Sequence, residues 1–254
     1  MILPRVIPCL LLKENSLVKT INFKKPSYIG DPVNSVRIFN EFEVDELVLL
    51  DISATREKRK PNFELLEEIA EECFMPLAYG GGINSVQDAQ KILSIGLEKV
   101  IINSEGYSNP QFISQLVNEI GSSSVVCSID VKKDFFGKKM VFSHSSGKKY
   151  KGDVLYWVKI FEDLGAGEIL LTSVDNEGTW KGFDTGLIKL VSSHVNVPVI
   201  ASGGAGKLLD IRHAIENGAS AAAFGNLAVY QGKGLGVLVS HPKRQEIEGI
   251  LKFN

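Results

Sequence analysis

The chain repeats its own pattern of strands and glycine turns after 122 residues. At that offset Glu46 recurs as Glu168, and Pro76 recurs as Pro198. The longest match aligns Met-Pro-Leu-Ala-Tyr-Gly-Gly-Gly with Val-Pro-Val-Ile-Ala-Ser-Gly-Gly. A doubly wound sheet has no reason to repeat strand, glycine turn and helix at a constant spacing, whereas a barrel made of two similar halves does.

Eight short apolar runs supply the predicted strands. They are nearly uniform rather than alternating, as expected of parallel strands buried on both faces. The runs are Val6–Leu11, Glu46–Asp51, Pro76–Tyr79, Lys99–Ile102, Val125–Asp130, Glu168–Thr172, Pro198–Ala201 and Ala219–Phe224. Amphipathic segments between them predict helices, among them Asn62–Cys73, Ser85–Ser94, Asn109–Ile120, Val154–Leu164 and Leu208–Asn217. Eight such units in 254 residues predict a single (β/α)8 barrel (a TIM barrel) with a half-barrel repeat, one domain spanning residues 1–254.

The composition indicates a soluble, cytoplasmic protein. The net charge of −2 argues against a nucleic-acid surface or a polybasic membrane patch, so we expect neither partner. No apolar run reaches membrane-spanning length, and the N-terminus lacks the apolar stretch of a signal peptide. Cys9, Cys73 and Cys127 lie far apart within apolar runs, which favours buried reduced thiols. Neither a metal-binding cluster nor an ATP-binding glycine motif occurs, so no metal and no cofactor are expected.

Glycines follow the third and seventh predicted strands, as Gly81-Gly82 and Gly203-Gly204. Glycine after a barrel strand lets backbone N–H groups approach an anion, and the next helix N-terminus adds a favourable dipole. The alternative is that these glycines only permit tight turns. Because Asn103-Ser104 and Gly225-Asn226 follow the neighbouring strands in both halves, the symmetry favours two phosphate sites across the barrel mouth. A substrate with phosphate at both ends would fit them.

Carboxylates also follow several strands. Asp130 ends the fifth strand, where barrel enzymes place catalytic groups, and it is the predicted acid or base. Asp51 ends the second strand, and Asp175 and Glu177 follow the sixth. For Asp51 and Asp175 a functional role and a structural one, capping a helix or pairing with a loop lysine, are equally compatible with the sequence.

Two polar insertions are predicted to cover the mouth. The segment Lys13–Gly30, with Lys19, Lys24 and Lys25, follows the first strand. The segment Lys132–Tyr150 follows the fifth strand and reads as a hairpin, with Lys138–His144 returning through Ser145–Gly147. Long loops on the upper face of a barrel often cover a substrate.

Four charges are predicted at the opposite end, where the strands begin: Arg5, Glu46, Lys99 and Glu168. Lys99 and Asn103 are four residues apart and share a strand face, so Lys99 points to the barrel floor if Asn103 points to the mouth. A ring of two cations and two anions could plug the floor or gate it for a small neutral molecule. The spacing by itself favours the plug.

These residues together resemble the HisF subunit of imidazole glycerol phosphate synthase over nearly the whole chain. The segments that carry the resemblance are Arg5–Leu10, Gly30–Pro32, Asp45–Asp51, Gly80–Ile83, Asn103-Ser104, Ile129-Asp130, Gly165–Ser173 and Pro198–Gly206. The resemblance implies a (β/α)8 barrel that receives ammonia from a HisH-type glutaminase docked beneath it as a heterodimer. It also implies that the four floor charges form the ammonia gate, and that a bis-phosphorylated substrate binds at the mouth. The residues expected to bind phosphate or substrate are Lys19, Asp51, Gly81, Gly82, Asn103, Ser104, Thr172, Asp175, Gly178, Gly203, Gly204 and Gly225.

The chain departs from the family at three places. Leu11 stands where the family has the aspartate that partners Asp130, and leucine cannot transfer a proton. Glu177-Gly178 replaces an Asp-Gly pair. Phe224-Gly225-Asn226 replaces a small Ala-Ser pair, and we expect Phe224 to narrow that phosphate site.

Such a combination resembles a divergent HisF-like branch, found among surface-polysaccharide genes, that helps to turn an acetamido sugar into an acetamidino sugar. Activating the amide oxygen requires ATP, so a third, ATP-using partner is implied. Three hypotheses follow. The first is an ammonia-accepting subunit that acts on a phosphorylated or nucleotide-linked sugar. The second is a true cyclase of histidine biosynthesis, and the third is a non-catalytic ammonia conduit that activates the glutaminase.

Overall fold

The computed structural model describes residues 3–143 and 147–251, and His144, Ser145 and Ser146 of the predicted hairpin lie outside them. The strands are β1 (Arg5–Lys13), β2 (Ser16–Ile21), β3 (Lys24–Gly30), β4 (Leu47–Asp51), β5 (Leu77–Gly80), β6 (Lys99–Ile102), β7 (Val125–Lys133), β8 (Lys139–Ser143), β9 (Lys148–Lys149), β10 (Glu168–Ser173), β11 (Val199–Ser202) and β12 (Ala221–Phe224). The helices are α1 (Pro32–Glu41), α2 (Phe63–Glu71), α3 (Val86–Ser94), α4 (Ser104–Ser108), α5 (Gln111–Ile120), α6 (Val154–Asp163), α7 (Thr185–Ser192), α8 (Leu208–Glu216), α9 (Asn226–Val229) and α10 (Arg244–Leu251).

Eight of the strands are parallel and close into a barrel. Their order is β1, β4, β5, β6, β7, β10, β11 and β12, and β12 pairs with β1 to complete the ring. The predicted (β/α)8 barrel is confirmed, because helices follow these strands along the chain. The other strands extend the barrel at two places: β2 and β3 form an antiparallel hairpin on β1, and β8 and β9 continue antiparallel from β7.

The internal repeat appears in the structure at the offset found in the sequence. Strands β5 and β6 recur 122 residues later as β11 and β12 with the same lengths, and helix α3 recurs as α8. The short helices α4 and α9 also begin at matching positions, Ser104 and Asn226. The two halves therefore place equivalent turns at opposite sides of the mouth.

Side-chain caps fix where several helices begin. Ser85 Oγ accepts from the N–H of Asp88 at 3.1 Å at the start of α3, and Asn62 caps α2 in the same way. The predicted helix Asn109–Ile120 is too long at its N-terminus: α5 begins at Gln111 with Pro110 as its cap residue. The sequence analysis also missed α4, because one helical turn is too short to show an apolar period.

Apolar side chains form two layers. The inner one fills the barrel, and the larger outer one lies between the strands and the helices. Cys9 and Cys127 are buried as predicted, but Cys73 is only partly buried because it lies in the turn after α2. In the described parts of the chain, no helix is long and apolar enough to span a membrane.

Candidate active site

Four charged side chains close the floor of the barrel. Arg5 donates to Glu46 and, from Nη2, to Glu168 Oε1 at 2.7 Å. Lys99 Nζ donates to Glu46 Oε1 at 3.0 Å and lies 3.3 Å from Glu168 Oε2. Each cation thus contacts both anions, so the ring is neutral and its charges satisfy one another. The predicted ring is confirmed as an arrangement of side chains.

The side chains above this ring are small or apolar. The inner cluster consists of Ile7, Cys9, Val48, Ala78, Ile101, Val126, Leu170, Ile200, Ala221 and Ala223, with Leu50 packed against it. These residues form an uncharged layer inside the barrel. Such surroundings disfavour an ion far more than a neutral molecule.

A cavity of about 440 Å³ opens at the carboxyl ends of the strands. Active sites of (β/α)8 enzymes lie at this face. The structure brings together most of the predicted site residues in its lining: Leu11, Lys19, Asp51, Gly81, Gly82, Asn103, Ser104, Asp130, Thr172, Gly178, Gly203, Gly204 and Gly225.

Asp130 lies on the inward face of β7, opposite Thr172 of β10. Its Oδ2 accepts a hydrogen bond from the Asn103 side-chain amide at 3.0 Å, and Asn103 also donates to the carbonyl of Ser128. Burial raises the pKa of the Asp130 carboxyl to about 7, although the bond from Asn103 opposes the shift. A carboxyl group with this pKa exchanges protons near neutral pH, which suits an acid or base.

Leu11 lies at the end of β1 and lines the same cavity as Asp130. Its side chain is buried, and its neighbours in the sheet are Val18 of β2 and Leu50 of β4. Neither Leu11 nor these two sheet neighbours carries a group that could transfer a proton, as an aspartate at position 11 would. The mouth is therefore asymmetric in chemistry, although its backbone is symmetric.

Both carboxylate oxygens of Asp51 are engaged by neighbouring residues. Its Oδ1 accepts from the N–H and hydroxyl of Ser53 and from the N–H of Ala54, each at 2.9 Å. Arg59 Nη2 lies 3.1 Å from Asp51 Oδ2. These contacts occupy both oxygens and hold the loop after β4. The sequence analysis missed Arg59, because its position depends on how this loop folds back.

The two glycine pairs are required by the backbone. A Cβ on Gly203 would lie 2.6 Å from the carbonyl oxygen of Ser173, and one on Gly81 would collide with the carbonyl oxygen of Asp51. Both glycines also have positive φ, 89° and 125°, which disfavours any side chain. The two contacts are equivalent under the 122-residue repeat. Turn geometry alone therefore explains why glycine stands here, and all four glycines also line the cavity.

A buried acidic residue holds the β2–β3 hairpin over the mouth. Glu177 accepts from Lys19 Nζ, from Thr20 Oγ1 at 3.1 Å and from the N–H of Phe23 at 3.2 Å. Gly178 permits this approach, since a Cβ there would collide with the carbonyl oxygen of Thr20. The cover predicted for residues 13–30 is thus a hairpin, and its Lys19 forms a buried ion pair. Glu177 was noted in the sequence, but its partner could not be read from it.

Two predicted roles do not fit the structure. Asp175 is absent from the cavity lining among the described residues, and its Oδ2 instead accepts from the N–H of Lys133 at 2.7 Å. Phe224 does not narrow the mouth: it packs in the outer layer, 5.9 Å from the ring of His241. Side chains alternate along a strand, so Ala221 and Ala223 of β12 face the barrel interior and Phe224 faces away.

The sequence of this chain matches a known protein family. The model of the family described as "Histidine biosynthesis protein" matches residues 5–234, which includes the whole barrel. The chain belongs to this family. The match includes the floor ring, both glycine pairs and Asp130.

Relatives match over most or nearly all of their length. A protein of Pseudomonas aeruginosa, provisionally named imidazole glycerol phosphate synthase subunit hisF2, is 49% identical over 98% of this chain and 99% of its own. A similarly named hisF3 protein of Vibrio vulnificus is 45% identical over 100% and 98%. The imidazole glycerol phosphate synthase subunit HisF of Streptococcus sanguinis is 42% identical over 88% of each chain. Within the histidine biosynthesis family, the chain is therefore HisF-like.

Proposed function

We propose that this chain is the HisF-like synthase subunit of a glutamine amidotransferase, acting on a phosphorylated or nucleotide-linked sugar in surface-polysaccharide biosynthesis. It accepts ammonia from a HisH-type glutaminase docked at the barrel floor, and the two form a heterodimer. The observation that carries the proposal is the contrast between the two ends of the barrel. The floor keeps its four-charge ring, while the mouth has Asp130 but carries Leu11 in place of a second aspartate.

The floor supports ammonia transfer. Arg5, Glu46, Lys99 and Glu168 neutralise one another, so the ring presents no net charge to a molecule that enters from below. The apolar layer above favours neutral ammonia over ammonium. On this view the ring is a gate rather than a plug.

The mouth supports a changed reaction. The equivalent turns at Gly81-Gly82 and Gly203-Gly204 flank the cavity and suit phosphate groups. Asp130, whose pKa burial raises to about 7, is suited to proton transfer in this cavity. In acetamidino-sugar formation, ammonia forms a C–N bond at the amide carbon. The C–O bond breaks, and the oxygen leaves on the phosphoryl or adenylyl group of ATP, which requires the ATP-using partner.

The proposal is tested with the purified chain and its glutaminase. We expect complex formation, and a rise in glutamine hydrolysis when an acetamido nucleotide-sugar and the ATP-using partner are present. Lys99→Ala should leave glutamine hydrolysis measurable but release the ammonia to solvent instead of product. Absence of stimulation by any mouth ligand would overturn the proposal.

A second function, the cyclase of imidazole glycerol phosphate synthase, is favoured by the full-length similarity to proteins of that name. An ammonia-dependent cyclisation assay separates the two. Loss of one member of an acid/base pair costs about 10²–10⁴-fold in rate, so the unaltered chain should be slow. Leu11→Asp should restore part of that rate if only the proton transfer has been lost. Turnover by the unaltered chain equal to that of a two-aspartate enzyme would favour the cyclase.

A third possibility, a conduit without chemistry of its own, is separated by Asp130→Asn. In a conduit this change leaves product formation unchanged, since ammonia delivery depends on the floor. Under the proposed function it lowers product formation strongly while glutaminase activation persists.

A further inference from the structure

The tip of the β7–β8 hairpin carries two phenylalanines that contact almost nothing else. Phe135 is 98% exposed and Phe136 is 91% exposed. Their rings pack edge to face with centroids 5.6 Å apart. Exposing two adjacent aromatic rings is unfavourable in water, since burying one contributes about 1.5–3 kcal/mol. A pair held in this way indicates a contact surface rather than an incidental feature.

Several hydrogen bonds fix the turn that presents the two rings. Asp134 Oδ1 accepts from the N–H of Phe136 and from the N–H of Lys138, each at 2.9 Å. The N–H of Gly137 donates to the carbonyl of Asp134 at 3.0 Å, and Gly137 has the positive φ that this turn needs. The acidic side chain is thus turned onto the backbone, while the aromatic side chains point outward.

The segment that carries the tip is rich in lysine. Residues 132–151 contain seven lysines and one acidic residue, although the whole chain has a net charge of −2. Lys133 and Lys139 form the last strand pair before the turn, and both lie near Asp184. Lys138 lies in the turn itself, whereas Lys149 and Lys151 lie near the far end of β8; all three are exposed and form no ion pair with any residue that the structure describes. The expectation that a net charge of −2 leaves no polybasic patch was therefore too coarse, since the positive charge is concentrated here.

We propose that this aromatic tip, with its flanking lysines, seats the protein on an anionic lipid surface. Aromatic rings favour the interface of a bilayer, and lysines beside them are attracted to acidic headgroups. A protein partner fits less well. Two phenylalanines offer about 300–500 Å², against the roughly 800 Å² per partner of a stable protein interface. A bilayer accepts a narrow convex tip without a matching groove.

The proposal is independent of the reaction in the mouth. The hairpin leaves the barrel at the carboxyl end of β7, so a seated protein turns its mouth towards the lipid. No membrane-spanning helix is needed, because attachment at a surface uses only the tip and the charges around it.

The experiment is flotation of the full chain with vesicles. We expect binding to vesicles of phosphatidylglycerol mixed with phosphatidylcholine, much weaker binding to phosphatidylcholine alone, and loss of binding at high salt. The double change Phe135→Ser and Phe136→Ser should lower binding about tenfold or more. Lys138→Gln should lower it by about fivefold. The matched control is Phe74→Ser, because Phe74 is also 85% exposed but lies at the other end of the barrel, in the turn before β5; it should leave binding unchanged.

Circular dichroism and the melting temperature show whether each variant is folded. Failure of the unaltered chain to bind acidic vesicles overturns the proposal. Equal loss with Phe74→Ser overturns it as well, because the effect would then belong to exposed aromatics in general. Sedimentation is the third readout: self-association that the double change abolishes, without vesicle binding, would show that the tip is a contact between copies of the chain.

Discussion

At the scale of single residues, Asp130 is held in a site that solvates its charged form poorly. Burial raises its pKa from an ordinary value near 3.8 to about 7. In the unfolded chain the same carboxyl group ionises near its ordinary value. Between these two pH values the folded protein keeps a proton that the unfolded chain has lost. The contribution of this group to stability therefore falls as the pH rises from about 4 to about 7, and stays level above that.

The variant Asp130→Asn tests whether this carboxyl group makes the protein less stable as the pH rises. We expect the difference in free energy of unfolding, variant minus unaltered protein, to grow between about pH 4 and 7 by about 1–4 kcal/mol, because the variant has no charge to desolvate. Urea denaturation at several pH values measures it. A constant difference across this range would show that Asp130 is ionised throughout.

Residue-level predictability differed between strands and loops. Asp130 and the floor ring were predicted because strand ends and the two-residue period locate them. The same period fixes the orientation of Phe224: Ala221 and Ala223 face the barrel interior, so Phe224 faces away from it. The prediction that Phe224 narrows the phosphate site was therefore wrong. The contacts of Arg59, Asp175 and Glu177 could not be predicted, since they depend on the path of loops for which the sequence offers no period.

At the scale of elements, the β2–β3 hairpin is attached to the loop after β10 through a few strong contacts. Glu177 bonds Lys19, Thr20 and the N–H of Phe23, and the side-chain amide of Asn22 donates to the carbonyls of Val174 and Asp175 at 3.0 and 2.8 Å. Because Lys19 and Glu177 are both buried, their ion pair is protected from solvent screening.

Glu177→Gln should loosen the hairpin while the barrel stays folded. The amide cannot accept from all three donors, and hydrogen bonds to a charged group each contribute about 1.5–3 kcal/mol. We expect amide hydrogen exchange in residues 16–30 to rise at least about tenfold, with β7 and β10 unchanged. Glu105→Gln, on the rim of the same cavity, is the control that removes an equal charge. Faster exchange throughout the barrel would contradict a local attachment.

At the scale of the whole molecule, the floor ring joins strands from different parts of the barrel. Arg5 comes from β1, Lys99 from β6 and Glu168 from β10, while Glu46 directly precedes β4. The ring therefore crosses both halves of the repeat. It stabilises the closed barrel only as long as the charges balance, because Glu46 is almost completely buried.

Lys99→Met should lower the free energy of unfolding by about 3–5 kcal/mol, since it leaves two carboxylates to share Arg5. Adding Glu168→Gln restores the balance of charge, and the double variant should recover part of the loss. Thermal and urea unfolding of the four proteins completes the cycle. Strictly additive losses would show that the ring does not act as a unit.

The same loop after β10 also fixes the second hairpin. Its Asp175 carboxylate holds the N–H of Lys133, and Asp184 at its end pairs with Lys139. The two hairpins rise from β1 and β7, which are four strands apart in a ring of eight and so face each other across the opening. Both hairpins are therefore attached to one loop, the segment between β10 and α7. Displacing the aromatic tip should therefore disturb the loop that also holds the β2–β3 hairpin.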